Sequence, residues 1–314
     1  MMKAKTGLIH AILIVFACLT LLPFAFMLNN VCRSNFEFYR DFFSVPEAFK
    51  GVAEVAWQYV SGNDEMLTVA DEMGEGQVVD RATALHMHRD AALNGPRTAW
   101  EAIRPYMLNS LIVSLLTALG VCCIGSSTAY ILARYKFMGH KVIFVIFLAT
   151  MMFPGVLTLV PSFLLVKKLG LLNTYWAMIL PYMAGGQVFA IFVFRSFFMG
   201  LPEDLFESAR IDGAGHFSIY WHLILPLSKP VFSVVIVMNV IGTWNNFLWP
   251  FIVNTDGSHQ VVSSGIYTLA TSQFASNFST MYAAYAISSL PLLVLFIYAT
   301  KPFIRGVTAG GLKA

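Results

Sequence analysis

Residues 201–230 read LPEDLFESARIDGAGHFSIYWHLILPLSKP, a short polar island between two runs hydrophobic enough to cross a bilayer. Pro202 suits the first turn of a helix, where a missing N–H costs no intrahelical bond. Glu203 and Asp204 follow at the positive end of the helix dipole. Leu205 and Ala209 share a face at i,i+4 spacing, with Phe206 beside them. Gly213 and Gly215 end the helix, because glycine takes the left-handed turn that a C-terminus often needs. The stretch therefore predicts a helix of about three turns at about 202–214, lying across the ends of the flanking spans. Leu205 and Phe206 are expected as apolar knobs for a cleft on another protein. A connector resting on lipid headgroups is the other reading, but such helices carry Lys or Arg on their polar face. Here Glu203, Asp204, Glu207 and Asp212 stand against Arg210 alone, which favours a protein partner.

Composition sets the solvent around that island. Hydrophobic residues make up 57% of the chain and charged residues 12%, with a mean hydropathy of +0.68. Soluble domains carry about a quarter charged residues, so lipid is the main solvent here. A net charge of +3 says little about nucleic acid, and none is expected as a partner. Cys18, Cys32, Cys122 and Cys123 show no CxxC or zinc spacing, which argues against a disulfide framework or a metal site.

Six stretches reach the roughly 20 apolar residues that a crossing needs: about 8–28, 111–133, 142–166, 175–198, 231–253 and 281–300. The first follows Lys3 and Lys5 as a signal peptide would, but it runs longer than a signal h-region and no small-x-small site closes it. It is expected to stay as an uncleaved helix. Lys and Arg in the short flanks then orient the bundle. Lys3, Lys5, Arg134, Lys136, Lys141, Arg195, Arg210, Lys229, Lys301, Arg305 and Lys313 fall on one side, against Lys167 and Lys168 on the other. Both termini and the island are expected in the cytoplasm.

The segment 29–108 then lies outside and holds twelve of the seventeen acidic residues. Its Ala, Glu, Trp and Met content predicts several short helices. It reads either as a solvated cap over the outer mouth or as a docking surface for an external partner. His86, His88 and Asp90 read as part of a surface helix rather than as metal ligands. The expected organisation is an all-α polytopic membrane protein. A first transmembrane helix occupies 1–28, an extracytoplasmic helical loop 29–108, and a core with five further transmembrane helices 109–314.

The island's spacing resembles a known motif. Glu207, Ala209, Gly213, Leu225 and Pro226 match EAA-x3-G-x9-I-x-L-P, with Ser208 for the middle alanine and Leu223 for the isoleucine. Asp212-Gly213-Ala214, Pro230, Asn109-Ser110 and the string WNNFLWP at 244–250 are similar to the sugar-importer branch of ABC permeases. The tail GVTAGGLK at 306–313 is similar to the end of the six-span maltose-transporter permease subunit. Together these cover about two thirds of the chain, from 108 to the end.

This resemblance implies the type I ABC importer permease fold, in a bacterial cytoplasmic (inner) membrane. It implies a homologous second permease, two ABC ATPase subunits that carry ATP and Mg, and an extracytoplasmic solute-binding protein. The island would be the coupling helix, with Leu205, Phe206, Glu207, Ala209, Asp212, Gly213, Leu225 and Pro226 meeting the ATPase. Glu207 would pair with a basic residue there, and ATPase closure would switch the spans between inward and outward access.

The residues themselves support that division of labour. The chain has no Gly-Lys dipeptide, hence no Walker A loop to cradle ATP phosphates, and it is expected to be no enzyme and to bind no cofactor. It also has few of the intramembrane charges that proton- or sodium-driven carriers use.

Polar groups inside a span mark either a helix–helix contact or a water-lined path. Asn245 and Asn246 beside Trp244 suit a sugar's hydroxyls and apolar ring faces, and both readings stay open for them. Gln187 and Ser196 in the fourth span, and Ser288 and Ser289 in the sixth, are weaker candidates. The outer loop 254–280 is polar and lacks Lys and Arg. In the maltose system the corresponding loop enters the binding protein's sugar cleft, which implies contacts at Ser264 and Thr268. The coupling motif alone fits a permease for a peptide, amino acid or anion equally well; the 244–250 string and the tail favour carbohydrate. A membrane enzyme is disfavoured, because no paired acid/base or nucleophile arrangement marks the membrane surface.

Overall fold

Apolar segments surrounded by lipid must close their backbone hydrogen bonds internally, so this chain builds almost wholly from helices. The computed structural model describes residues 2–41, 43–62, 66–70, 75–272, 274 and 276–311. Leu312 and Lys313 of the tail, and Asp64, Glu65, Asp71 and Glu72 of the acidic segment, lie outside the described residues. Helices α1 (Met2–Asn30), α2 (Asn35–Arg40) and α3 (Glu47–Ser61) precede an antiparallel hairpin of β1 (Leu67–Ala70) and β2 (Gly76–Val79), with Leu67 opposite Val79. Next come α4 (Arg81–Arg134), α5 (His140–Thr150), α6 (Gly155–Lys168), α7 (Tyr175–Met199), α8 (Glu203–Ile211) and α9 (His216–Ile219). A π-helical turn at Tyr220–Ile224 leads through α10 (Leu225–Leu227) to α11 (Lys229–Asn245), α12 (Leu248–Val253), α13 (Val262–Ala270) and α14 (Phe278–Gly311).

Four described helices, α1, α4, α7 and α14, contain segments long and apolar enough to cross a membrane, and six crossings result if each of two bent pairs counts as one. The third expected span, 142–166, is one of these pairs: α5 and α6 meet at 96°. Pro154 causes the break, since it has no N–H to continue a helix and forces Phe153 before it out of helical geometry. The other pair joins His216–Leu227 to Lys229–Asn245 at 76°, where Pro230 opens α11. The fifth expected span, 231–253, is interrupted at Asn246. This residue takes extended backbone, which ends α11, and its Oδ1 accepts the N–H of Trp249 in α12 at 3.2 Å.

The outer segment departs from the expected short helices in two ways. The β-branched residues Thr68 and Val69 in β1, and Val78 and Val79 in β2, favour the hairpin. Residues 81–108 are no separate helix but the first half of α4, which runs 54 residues with Pro96 and Pro105 inside it.

By contacts the chain divides into two units, Met1–Pro105 with Gly265–Leu290, and Tyr106–Ser264 with Pro291–Ala314. In the first, Val55, Leu67, Val69 and Ala84 form a small core, and His88 packs on Gly51 of α3. Arg33 is buried, and its guanidinium donates to Asn30 Oδ1 (3.2 Å), the Glu37 carbonyl (2.7 Å), Ser44 Oγ (3.0 Å) and the Asp41 carbonyl. Phe38 stacks on Phe278 at 4.3 Å. Along α1 the apolar residues Leu13, Ile14, Phe16, Leu19 and Leu22 are all exposed, so its apolar surface faces lipid or another chain.

In the second unit, α4, α7 and α11 form the bundle that carries the polar island. Val121, Cys122, Ala190, Ile191, Phe194, Val231 and Val235 pack its centre. Gly186 of α7 allows a close approach to both α4 and α11. A methyl there would stand 2.7 Å from Asn239 Nδ2 of α11 and 2.8 Å from Val121 Cγ2 of α4. Gly186→Val is expected to overpack this crossing by about 1–3 kcal/mol, read as a lowered unfolding temperature of the detergent-solubilised subunit.

Candidate functional site

The polar island folds as α8 followed by a left-handed turn. Pro202 occupies the N-cap position, with φ −58° and ψ 135°, one residue earlier than the first turn expected for it. Glu203 and Asp204 lie in the first turn, at the positive end of the helix. At the far end Gly213 takes φ +78°, and the Ala214 N–H donates to the Ala209 carbonyl at 2.9 Å. Only a residue without Cβ holds that turn at little cost.

Successive helical residues point about 100° apart, so Leu205 and Phe206 present different faces of α8. Leu205 is 39% exposed and Phe206 only 1%. The expectation of two apolar knobs is therefore corrected for Phe206. Its ring clusters with Tyr130, Ala190, Phe194, Phe198, Ile219 and Ile224, and the Arg134 guanidinium lies 3.8 Å from the ring centroid.

Glu207, Asp212 and Gly213 are exposed, Ala209 is half-buried, Leu225 is half-buried and Pro226 is exposed. The Glu207 carboxylate makes no ion pair or hydrogen bond among the described residues. Two further apolar residues, Ile211 and Phe217, are 86% and 76% exposed beside it. Sequence reading missed both, although an isoleucine directly before Asp212-Gly213 is out of place in a polar turn.

On the open side of the bundle, α7 and α11 border a shallow cavity of about 430 Å³ lined by Tyr182, Gly185, Phe189, Asn239, Thr243 and Asn246 among others. The Tyr182 hydroxyl and Asn239 Oδ1 are buried without a hydrogen-bond partner among the described residues, and so are both amide atoms of Gln187. Of the three polar candidates in the 244–250 string, only Asn246 lines this cavity. Trp244 is 4% exposed and packed inside the bundle, and Asn245 is exposed and donates to the Ile241 carbonyl of its own helix at 3.0 Å. The helical period puts Asn239 and Thr243, at i and i+4, on the cavity face. That repeat was the available signal for the missed positions. Ser288 and Ser289 bond back to the Tyr285 and Ala286 carbonyls of α14.

The two outer-loop candidates differ in access. Ser264 is fully buried in α13 and donates to the Val261 carbonyl at 3.2 Å, so it presents nothing to an external protein, whereas Thr268 is half-buried. In the same loop, the exposed Asp256 carboxyl is held below the usual carboxylate range, chiefly by the Ser258 N–H and also by its hydroxyl.

An exposed acidic helix rooted by one aromatic ring in a membrane bundle is the arrangement this site presents. Residues 122–308 match the family described as the binding-protein-dependent transport system inner membrane component. The chain belongs to that family. This permease is 35% identical over 209 residues to the diacetylchitobiose uptake system permease protein NgcG of Streptomyces coelicolor, covering 66% of the chain and 69% of NgcG. It is 36% identical over 208 residues to the arabinooligosaccharides transport system permease protein AraQ of Bacillus subtilis, covering 66% and 73%. In fold it is similar to a chain from the crystal structure of a bacterial ABC transporter involved in the import of the acidic polysaccharide alginate. There the TM-score is 0.68 at 18% identity, over 96% of this chain and 97% of that one. A match of that extent takes in the greater part of the outer segment, so the fold similarity reaches beyond the family core. The permease is thus a transport subunit of the inner membrane, with the expected fold, all α apart from the outer hairpin.

Burial assigns separate tasks to the two neighbouring apolar residues of α8. Phe206→Ala is expected to cost about 3–5 kcal/mol and to lower the amount of permease in membranes, measured by quantitative immunoblot. Leu205→Ala should leave that amount unchanged.

Proposed function

We propose that this permease forms half of the translocation path of an ATP-driven importer for an oligosaccharide or related carbohydrate. In this reading it pairs with a homologous second permease, takes solute from an extracytoplasmic binding protein, and rests on two ATPase subunits that bind ATP and Mg. Both termini and α8 face the cytoplasm. The observation that carries the reading is the pairing of an unpartnered, exposed Glu207 with a buried Phe206 on one short helix. The first is available to a basic residue of another subunit, and the second passes any displacement of α8 into α4, α7 and α11.

The carbohydrate part of the reading is supported by the cavity between α7 and α11. Neutral hydroxyl and amide groups, with the Phe189 ring among its walls, match the chemistry of sugar hydroxyls and apolar sugar faces. An anionic solute calls for cationic groups instead, and the cavity lining has none. The two sugar-named relatives agree with this choice. Tyr182, Asn239, Thr243 and Asn246 are the residues of this chain that would meet passing solute.

Glu207→Lys places like charge against the partner's basic residue, and Gly213→Asp puts a side chain where φ is +78°. Each is expected to lower solute uptake and binding-protein-stimulated ATP hydrolysis by at least about tenfold while the permease remains inserted. Wild-type uptake in both would end the coupling assignment, as would labelling of cysteines at 203–215 only from outside the cell. Asn239→Leu is expected to reduce uptake without reducing assembly, checked by co-purification of the complex.

A further inference from the structure

Every side-chain polar bond that leaves α8 among the described residues goes to Arg134, the last residue of α4. Arg134 Nη1 meets Glu203 Oε2 at 2.6 Å, and Nη2 donates to the Phe198 and Leu201 carbonyls at 2.6 and 2.8 Å. Those carbonyls lie at the C-terminal end of α7, where helical acceptors lack intrahelical donors. The face of the same guanidinium lies on Phe206 of α8. One planar group thus holds the end of α7, the start of α8 and the buried ring of α8 together. A lysine ammonium has neither the fork nor the flat face to do this. The side chain is 10% exposed, so a guanidinium parted from these acceptors would be stranded with little water.

The next residue grips the other end of the island. The Tyr135 hydroxyl lies 2.5 Å from His216 Nδ1, at the first residue of α9, and 3.3 Å from the Tyr130 hydroxyl. Two turns further into α4, Ser126 Oγ lies 2.6 Å from the Tyr220 hydroxyl. Consecutive residues at the end of one span therefore hold both flanks of α8.

We propose that Arg134 and Tyr135 act as a clasp that makes α4 move with α8, so that α4 is the span through which the ATPase stroke enters the bundle. The proposal rests on α8 being the coupling helix. Direct chain linkage ties α8 to α7 and, through α9, to α11; α4 has no such direct link, and the clasp adds directional polar contacts to its apolar packing against Phe206. Arg134 and Tyr135 are positioning residues, since neither lines the cavity between α7 and α11.

The test uses the full transporter, with its second permease, ATPase and binding protein, in lipid nanodiscs. Glu203→Gln with Tyr135→Phe removes the ion pair and the hydroxyl contact at nearly unchanged shape. Spin labels at Ser208 on α8 and Ile131 on α4 report their separation, and binding-protein-stimulated ATP hydrolysis reports transmission. The double variant is expected to broaden the label distances and to lower the stimulation at least about fivefold. Arg134→Lys, which keeps the charge and loses the fork, should fall between it and wild type. Glu207→Lys serves as the control for the coupling helix itself. If that control loses stimulation while the double variant keeps both wild-type stimulation and narrow distances, the clasp is wrong and the coupling helix stands. Broadened distances with full stimulation, or lost stimulation with narrow distances, also overturn the clasp. Full stimulation in the Glu207→Lys control removes the coupling helix and the clasp with it.

Discussion

Burial of the Phe206 ring in the apolar core of α4, α7 and α11 is the contact that holds α8 on the bundle. A helix as acidic as α8 has no reason to stay on a bundle of hydrocarbon-facing spans. One fully buried aromatic side chain supplies roughly 1.5–3 kcal/mol of transfer free energy, and a cation over its ring adds about 0.5–2 kcal/mol. The ion pair between the nearly buried Arg134 and Glu203 is weakened on the Glu203 side, which is half in water. Its part is direction: it decides which way round α8 lies once Phe206 has anchored it.

The same economy governs the interior. A buried hydroxyl or amide without a partner is unfavourable by about 1–3 kcal/mol, so the Tyr182 hydroxyl and Asn239 Oδ1 are costly features for stability alone. They line an opening between two spans held close by Gly186 and by Thr243, whose hydroxyl donates to Ser114 Oγ at 3.0 Å. Polar groups kept at a cost, in a bundle otherwise packed with Val, Ile and Phe, are what a path for a hydroxylated solute requires.

Much of this was legible along the chain because membrane helices satisfy their backbones locally. Length and hydropathy located the apolar segments, and Glu203, Asp204 and Gly213 marked the limits of α8. The fold class and the family followed from such local signals. The readings that went astray did so at places where a neighbour decides. Phe206 turned into the bundle instead of facing a partner. The outer hairpin formed because Leu67 and Val69 found Val55 and Ala84 to cover. Ser264 was buried in α13 instead of facing an external protein.

The order of residues was thus sufficient for what depends on solvent and near neighbours: which segments meet lipid, where helices start and stop, and that an acidic helix lies between two spans. Only the tertiary structure decided which side of α8 is buried, that Arg134 sits on Phe206, and that Tyr182, Asn239, Thr243 and Asn246 share one cavity. Adjacent helical residues differ by about 100° in direction, and spacing alone does not say which direction is inward. That is decided by the ring, guanidinium or carbonyl that another helix brings to the same place.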